Sequence, residues 1–88
     1  MRVVVRGRVQ GVFFRDSCRA QARAAAVGGF VRNRADGTVE ILVSGGTKTV
    51  EAFVGVAMRG PAGARVNNVE LHNAEPPAEK GFHRRPSV

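Results

Sequence analysis

Between Gly7 and Arg15 the chain reads Gly-Arg-Val-Gln-Gly-Val-Phe-Phe-Arg, a segment that leaves an alternating run, turns on glycine and enters a helical pattern. Such a segment lets several backbone N–H groups converge on one point and so makes a cradle for an anion. Glycine permits the backbone angles of an amide nest, and the helix that follows adds unpaired N–H groups and the positive end of its dipole. Arg15, in the first turn of that helix, adds a planar guanidinium whose fork matches two phosphate oxygens. On these residues alone an ordinary strand-to-helix connection is an equally good reading. The spacing does exclude other chemistry. No Lys and Ser/Thr pair closes the loop as in a nucleotide-binding P-loop, and there is no G-x-G-x-x-G. Cys18 follows Arg15 on the apolar side of the helix, unlike a phosphatase in which a loop cysteine attacks and a later arginine clamps, so it reads as core packing. No paired carboxylates, His cluster or Cys/His spacing makes a metal or nucleophilic site, and His72 and His83 read as surface residues. Asn33, taken alone, is a polar residue near a hairpin turn.

The elements that position these residues follow from periodicity. Val3, Val5 and Val9 alternate with Arg2, Arg6 and Arg8, the period of two of a half-buried strand. Phe14, Cys18, Ala22 and Ala25 then recur at helical spacing, giving a helix of about three turns that Gly28-Gly29 is expected to stop. Phe30 to Asn33 reads as a second strand, Ala35-Asp36-Gly37 as a turn, and Thr38 to Ser44 as a third strand with Val39, Ile41 and Val43 on one face, so the two form a hairpin. Thr47 is placed to cap a second amphipathic helix through Val50, Phe53, Val54, Ala57 and Met58, ending at Arg59-Gly60-Pro61. Val66, Val69 and Leu71 belong to a fourth strand. The order is that of an α+β, ferredoxin-like βαββαβ sandwich, an antiparallel sheet with two helices on one face. Asn73 to Lys80 reads as a loop, after which Phe82 is a candidate start for a short last strand. Arg15, Arg19 and Arg23 fall at i, i+4 and i+8, a basic row read as a solvated face, with Arg19 available to steer an anion. Gln10 reads as a loop-stabilising residue.

Composition sets the bounds. The chain has 88 residues, 43% hydrophobic and 24% charged, enough for one soluble domain, residues 1–88, and too few for a second core. The longest clean apolar run near the N-terminus, Val3 to Val5, is far below a membrane span or a signal-peptide core. One cysteine permits no internal disulfide, which agrees with a cytoplasmic location. Fourteen Lys and Arg against seven Asp and Glu give a net charge of +7, a field that attracts anions without choosing among metabolites, nucleic acid and membrane surface.

The wording of the segments goes further. G-R-V-Q-G-V-F-F-R closely resembles the signature of the acylphosphatase family, G-x-V-Q-G-V-x-F-R. Downstream, G-G-F-V-R-N resembles the family's G-W-V-x-N, followed by D-G-T-V-E and S-G, and G-P-A-G-A-R-V-N-N-V resembles its G-P-x-x-A-x-V-x-x-V. The resemblance spans about residues 3 to 71, in order and at family spacing. It implies metal-independent hydrolysis of the carboxyl-phosphate bond of acyl phosphates, with no cofactor. Carried over residue by residue, the phosphate-binding arginine falls on Arg15, the water-orienting asparagine on Asn33, and the phosphate loop on Val9, Gln10, Gly11, Val12, Phe13, Phe14 and Arg15. Phe30 stands in place of the usual tryptophan, and Val27-Gly28 weakens the customary leucine-glycine-leucine run. The closing strand, where an aromatic and a β-branched residue usually alternate, reads Phe82-His83-Arg84-Arg85-Pro86 and lacks the second apolar anchor.

The expected partner is a small-molecule acyl phosphate, with inorganic phosphate or sulfate as competing anions, no nucleic acid, no membrane and a monomeric state. Ferredoxin-like sheets also carry RNA, on aromatics exposed along the central strands, but the candidate strands here offer Val4, Arg6, Glu40 and Leu42. A non-catalytic module of the kind found inside larger proteins is the other reading, against which the presence of both Arg15 and Asn33 counts.

Overall fold

The computed structural model describes residues 1–11, 14–59, 63–75 and 81–85. The elements run β1 (Arg2–Arg8), α1 (Phe14–Ala24), β2 (Gly28–Asn33), β3 (Val39–Ser44), α2 (Thr47–Ala57), β4 (Arg65–His72) and β5 (Phe82–Arg84). They build one sheet in the order β4-β1-β3-β2-β5. β1 pairs antiparallel with β3 and β4, β2 pairs antiparallel with β3, and β5 joins the edge of β2 in parallel. This is the expected ferredoxin-like sandwich, with a fifth strand that makes the sheet mixed. Val12 and Phe13 of the expected phosphate loop and the Gly60-Pro61 end of the second helix lie outside the described residues.

Alternation places Val3, Val5, Val31, Val39, Ile41 and Val43 in one core with Phe14, Cys18 and Ala22 of α1 and Val50, Phe53 and Ala57 of α2. Both helices therefore bury their apolar stripes against the same sheet face, which is how period-2 and period-3.6 patterns share one core. Cys18 is 2% exposed, and burial pushes its thiol up to about 12; at neutral pH it stays a thiol and packs as a small hydrophobe.

Three local expectations are corrected. The first helix does not stop at Gly28-Gly29, which lie inside β2. It ends at Ala24, and the chain leaves it through a left-handed Ala26 at φ +58°. The N–H groups of Ala26 and Val27 donate to the Arg23 and Ala22 carbonyls at 3.2 and 3.1 Å, the paired bonds of a Schellman motif. Gly29 serves a different purpose: at φ +135° a side chain there would run into the Leu42 carbonyl oxygen of β3. Nor does Thr47 cap α2; Gly46 is the N-cap, with no side-chain bond. Because an L-residue in the left-handed region costs roughly 1–2 kcal/mol, and glycine's extra freedom in the unfolded chain takes back about 0.4–1 kcal/mol, Ala26→Gly is expected to stabilise the fold by about 0.5–1 kcal/mol. A urea midpoint that stays level or falls in this variant would show that Ala26 carries no strain.

The third correction concerns the sheet face away from the helices. Val4 and Glu40, expected on an open surface, are 1% and 6% exposed. Arg2 and Arg32 each donate from Nε to one oxygen of Glu40 at 2.6 Å, and these long side chains lie across the face. Burial raises the Glu40 carboxyl, but the hydrogen bonds and charges of Arg2 and Arg32 outweigh it and hold the group below the usual glutamate value. The same face does carry an aromatic, Phe30, in register with Leu42. Phe30 is 8% exposed and its ring lies under the guanidinium groups of Arg85 at 4.1 Å and Arg32 at 5.3 Å, a pair of cation–π contacts.

Candidate active site

The loop after β1 and the start of α1 are held against the end of β2. Gln10 Nε2 donates to the carbonyls of Arg34 and Thr38, both at 2.9 Å, which ties the loop to the β2–β3 turn. That turn is closed by Arg34 N–H donating to Thr38 O at 2.9 Å, and by Thr38 N–H and Oγ1 donating to Asp36 Oδ1 at 3.1 and 2.6 Å. The side-chain and backbone bonds from Thr38 hold the Asp36 carboxyl below its ordinary value. Gln10 thus acts from behind the loop, while Gly11 turns it at φ +72°, a left-handed angle that glycine adopts without a Cβ penalty.

In front of the loop is a cleft of about 220 Å3 lined by Val9, Gly11, Phe14, Arg15, Asp16, Asn33 and Arg84. Arg15 and Asn33, far apart in sequence, therefore face one space. Asn33 pairs with Val39 in register, which puts its side chain on the helix side of the sheet. Its Oδ1 is buried and has no hydrogen-bond partner among the described residues. A buried acceptor without a partner is costly, on the order of 1–3 kcal/mol, and needs a reason. Of the loop residues expected to hold phosphate, Val9, Gly11, Phe14 and Arg15 line the cleft, the side chain of Gln10 braces the loop, and Val12 and Phe13 lie outside the described residues.

The basic row of α1 keeps solvent contact, with Arg23 exposed and the Arg19 side chain 41% exposed, and it is also bonded to the chain around β5. Arg15 Nη1 donates to the Arg85 carbonyl at 3.1 Å and Arg23 Nε to the Phe82 carbonyl at 3.3 Å, so two arginines two turns apart hold the backbone of β5. Phe82, 1% exposed, packs its ring edge-on to Phe53 at 5.8 Å. β5 thus needs no second apolar anchor: parallel pairing with β2, one buried ring and these bonds fix it. Where that anchor would stand, Arg84 donates from Nη1 to Asp16 Oδ1 at 2.8 Å, and Arg19 Nη2 lies 3.8 Å from the same oxygen. Asp16 and Arg84 are the cleft residues that spacing did not single out. The one signal for Arg84 was a charged residue alternating with Phe82 on the inward side of a strand.

The sequence and the fold have counterparts in known proteins. The family described as Acylphosphatase matches residues 1–84. An acylphosphatase of Acidiphilium cryptum is 49% identical over 83 residues, covering 94% of this chain and 91% of the relative. The crystal structure of acylphosphatase from Bacillus subtilis superposes with a TM-score of 0.90 at 32% identity, covering 96% of this chain and 94% of that one. Full-length HypF, crystallised in a phosphate- and nucleotide-bound form, contains a similar unit in 12% of its length, with a TM-score of 0.88 and 28% identity over 98% of this chain. With a family match over nearly its whole length and relatives at about half identity along their own, this chain belongs to the acylphosphatase family.

Proposed function

We propose that this chain, as a single domain, hydrolyses small-molecule acyl phosphates to carboxylate and inorganic phosphate without a metal ion, with Arg15 and the loop amides holding the phosphoryl group and Asn33 aiming the water. The observation that carries this reading is the buried, unpartnered Asn33 Oδ1 in the cleft that Arg15 also lines. Arg15 keeps one side of its fork on the Arg85 carbonyl, which sets the plane of the guanidinium, and offers its other donors to phosphoryl oxygens. Family membership supports the substrate class, since the relatives are named for it.

The chemistry asks little else of the protein. The water oxygen forms a bond to phosphorus as the bond from phosphorus to the acyl oxygen breaks, and the electron pair leaves on a carboxylate. The water's protons end on phosphate and solvent. A carboxylate is a good leaving group, so positioning and charge stabilisation carry the rate. Asn33 Oδ1 accepts from the attacking water, and a neutral orienter puts no negative charge beside the phosphate. Among the described residues no group of three or more His, Cys, Asp and Glu is gathered to hold a metal. Inorganic phosphate and sulfate compete for the same cradle. We place the monomeric protein in the cytoplasm, a reading supported by its single cysteine; no described helix is long and apolar enough to cross a membrane.

The test is hydrolysis of benzoyl phosphate by the purified protein in excess chelator. Undiminished turnover, inhibited competitively by phosphate and by sulfate, is the expected result. A rate that vanishes in chelator and returns with a divalent ion would overturn the metal-free part.

A further inference from the structure

We infer that Arg84 is a specificity-determining residue, which makes this chain favour acyl phosphates whose acyl group carries a carboxylate of its own. The inference rests on the phosphoryl half of the substrate lying at Arg15 and the loop, as proposed above. It starts from a position that alternation assigns to an apolar side chain: Arg84 pairs with the buried Val31 in register and follows Phe82 on the side of the sheet that faces α1. A guanidinium there cannot enter the core without losing its hydration, so it turns into the cleft mouth and meets Asp16.

The charge count at that mouth is uneven. Asp16 is shared between Arg84 at 2.8 Å and Arg19 at 3.8 Å, one anion against two cations, with Arg15 a further cation on the same wall. Only Nη1 of Arg84 is committed to Asp16, and the side chain remains 42% exposed. Its planar head therefore keeps donors for a second anion, and a guanidinium fork takes a carboxylate in two bonds. The acyl group lies between Arg15 and Arg84, against the apolar walls of Val9 and Phe14. Asp16 sets the strength of the preference: while it holds Arg84 it weakens the attraction, and with Arg84 gone it would face the substrate as an anion.

A purely structural clamp between β5 and α1 makes a different forecast, because breaking it from either side would have the same consequence. The experiment compares kcat/KM for benzoyl phosphate with that for its 3- and 4-carboxy derivatives, in the unaltered protein, in Asp16→Asn and in Arg84→Ala. Circular dichroism and thermal melts report the fold of each. The unaltered protein is expected to prefer at least one carboxylated probe about five- to tenfold, the scale of one charge-assisted contact weakened by solvent. Asp16→Asn should raise that ratio, by freeing Arg84, and Arg84→Ala should bring it to one or below, by leaving Asp16 with only the longer contact to Arg19. High salt should flatten the preference in the unaltered protein. The inference is overturned if the unaltered protein hydrolyses benzoyl phosphate with no preference, or if both variants move the ratio in the same direction or leave it unchanged. No hydrolysis of benzoyl phosphate by the unaltered protein would defeat the proposed function itself and this inference with it.

Discussion

Arg15→Lys is expected to lower kcat/KM for benzoyl phosphate by roughly 10²–10³, and Arg15→Ala by 10³ or more, on the scale of an arginine that stabilises a transferring phosphoryl group. Lysine keeps the charge but presents a compact ammonium in place of a planar fork, so it meets at most one phosphoryl oxygen with defined geometry. It also loses the orientation that the native side chain takes from the Arg85 carbonyl. Both KM and kcat should suffer, since the ground-state phosphate and the transition state are held by the same donors. The fold should survive with a small loss, about 1 kcal/mol for one side-chain bond to β5. Stopped-flow or colorimetric hydrolysis alongside a thermal melt separates the two effects. A folded Arg15→Ala protein with native turnover would remove Arg15 from the site.

Asn33→Ala is expected to cut kcat by roughly 10²–10³, the usual cost of removing one preorganised polar group from a hydrolytic site, while the inhibition constant of inorganic phosphate changes much less. The reason is geometric: Oδ1 is buried without a partner among the described residues, so its deletion removes the water's acceptor and touches no bond that holds the loop. Asn33→Asp keeps the shape and an acceptor but adds a negative charge. At about 4 Å from a phosphoryl oxygen the repulsion is of order 4 kcal/mol at an effective dielectric near 20. This variant should therefore bind phosphate more weakly as well as turn over slowly. An Asn33→Asp protein faster than the native one, with a rate that climbs through the titration of the new carboxyl, would mean that a general base suffices and that orientation is not what Asn33 supplies.

Alternation and spacing were enough to read the sandwich. Val3, Val5, Val39, Ile41 and Val43 lie in the core because a pleated strand sends every second side chain to one side, and a helix period of 3.6 brings Phe14, Cys18 and Ala22 onto the opposing stripe. The candidate site was legible for a related reason. Its backbone part is one continuous segment, and local sequence carries the glycines that let amides converge; Asn33 was legible only through the resemblance of its block, since nothing local distinguishes it from a turn residue. Where backbone groups and register decide, local reading stopped. The Schellman end of α1 on Ala26 came from backbone bonds that no residue type announces. The partners of Arg15 and Arg23 were not legible because they are the carbonyls of Arg85 and Phe82, distant in sequence, and a carbonyl has no sequence signature. Val4 and Glu40 are buried because side chains from β1 and β2 cross above them, which depends on register rather than on either strand alone. Arg84 shows the division most clearly. As a sequence position it was a missing apolar anchor for the last strand; as a position in space, the parallel pairing of β5 with β2 brings it across from the first turn of α1, and there Asp16 makes it a wall of the cleft.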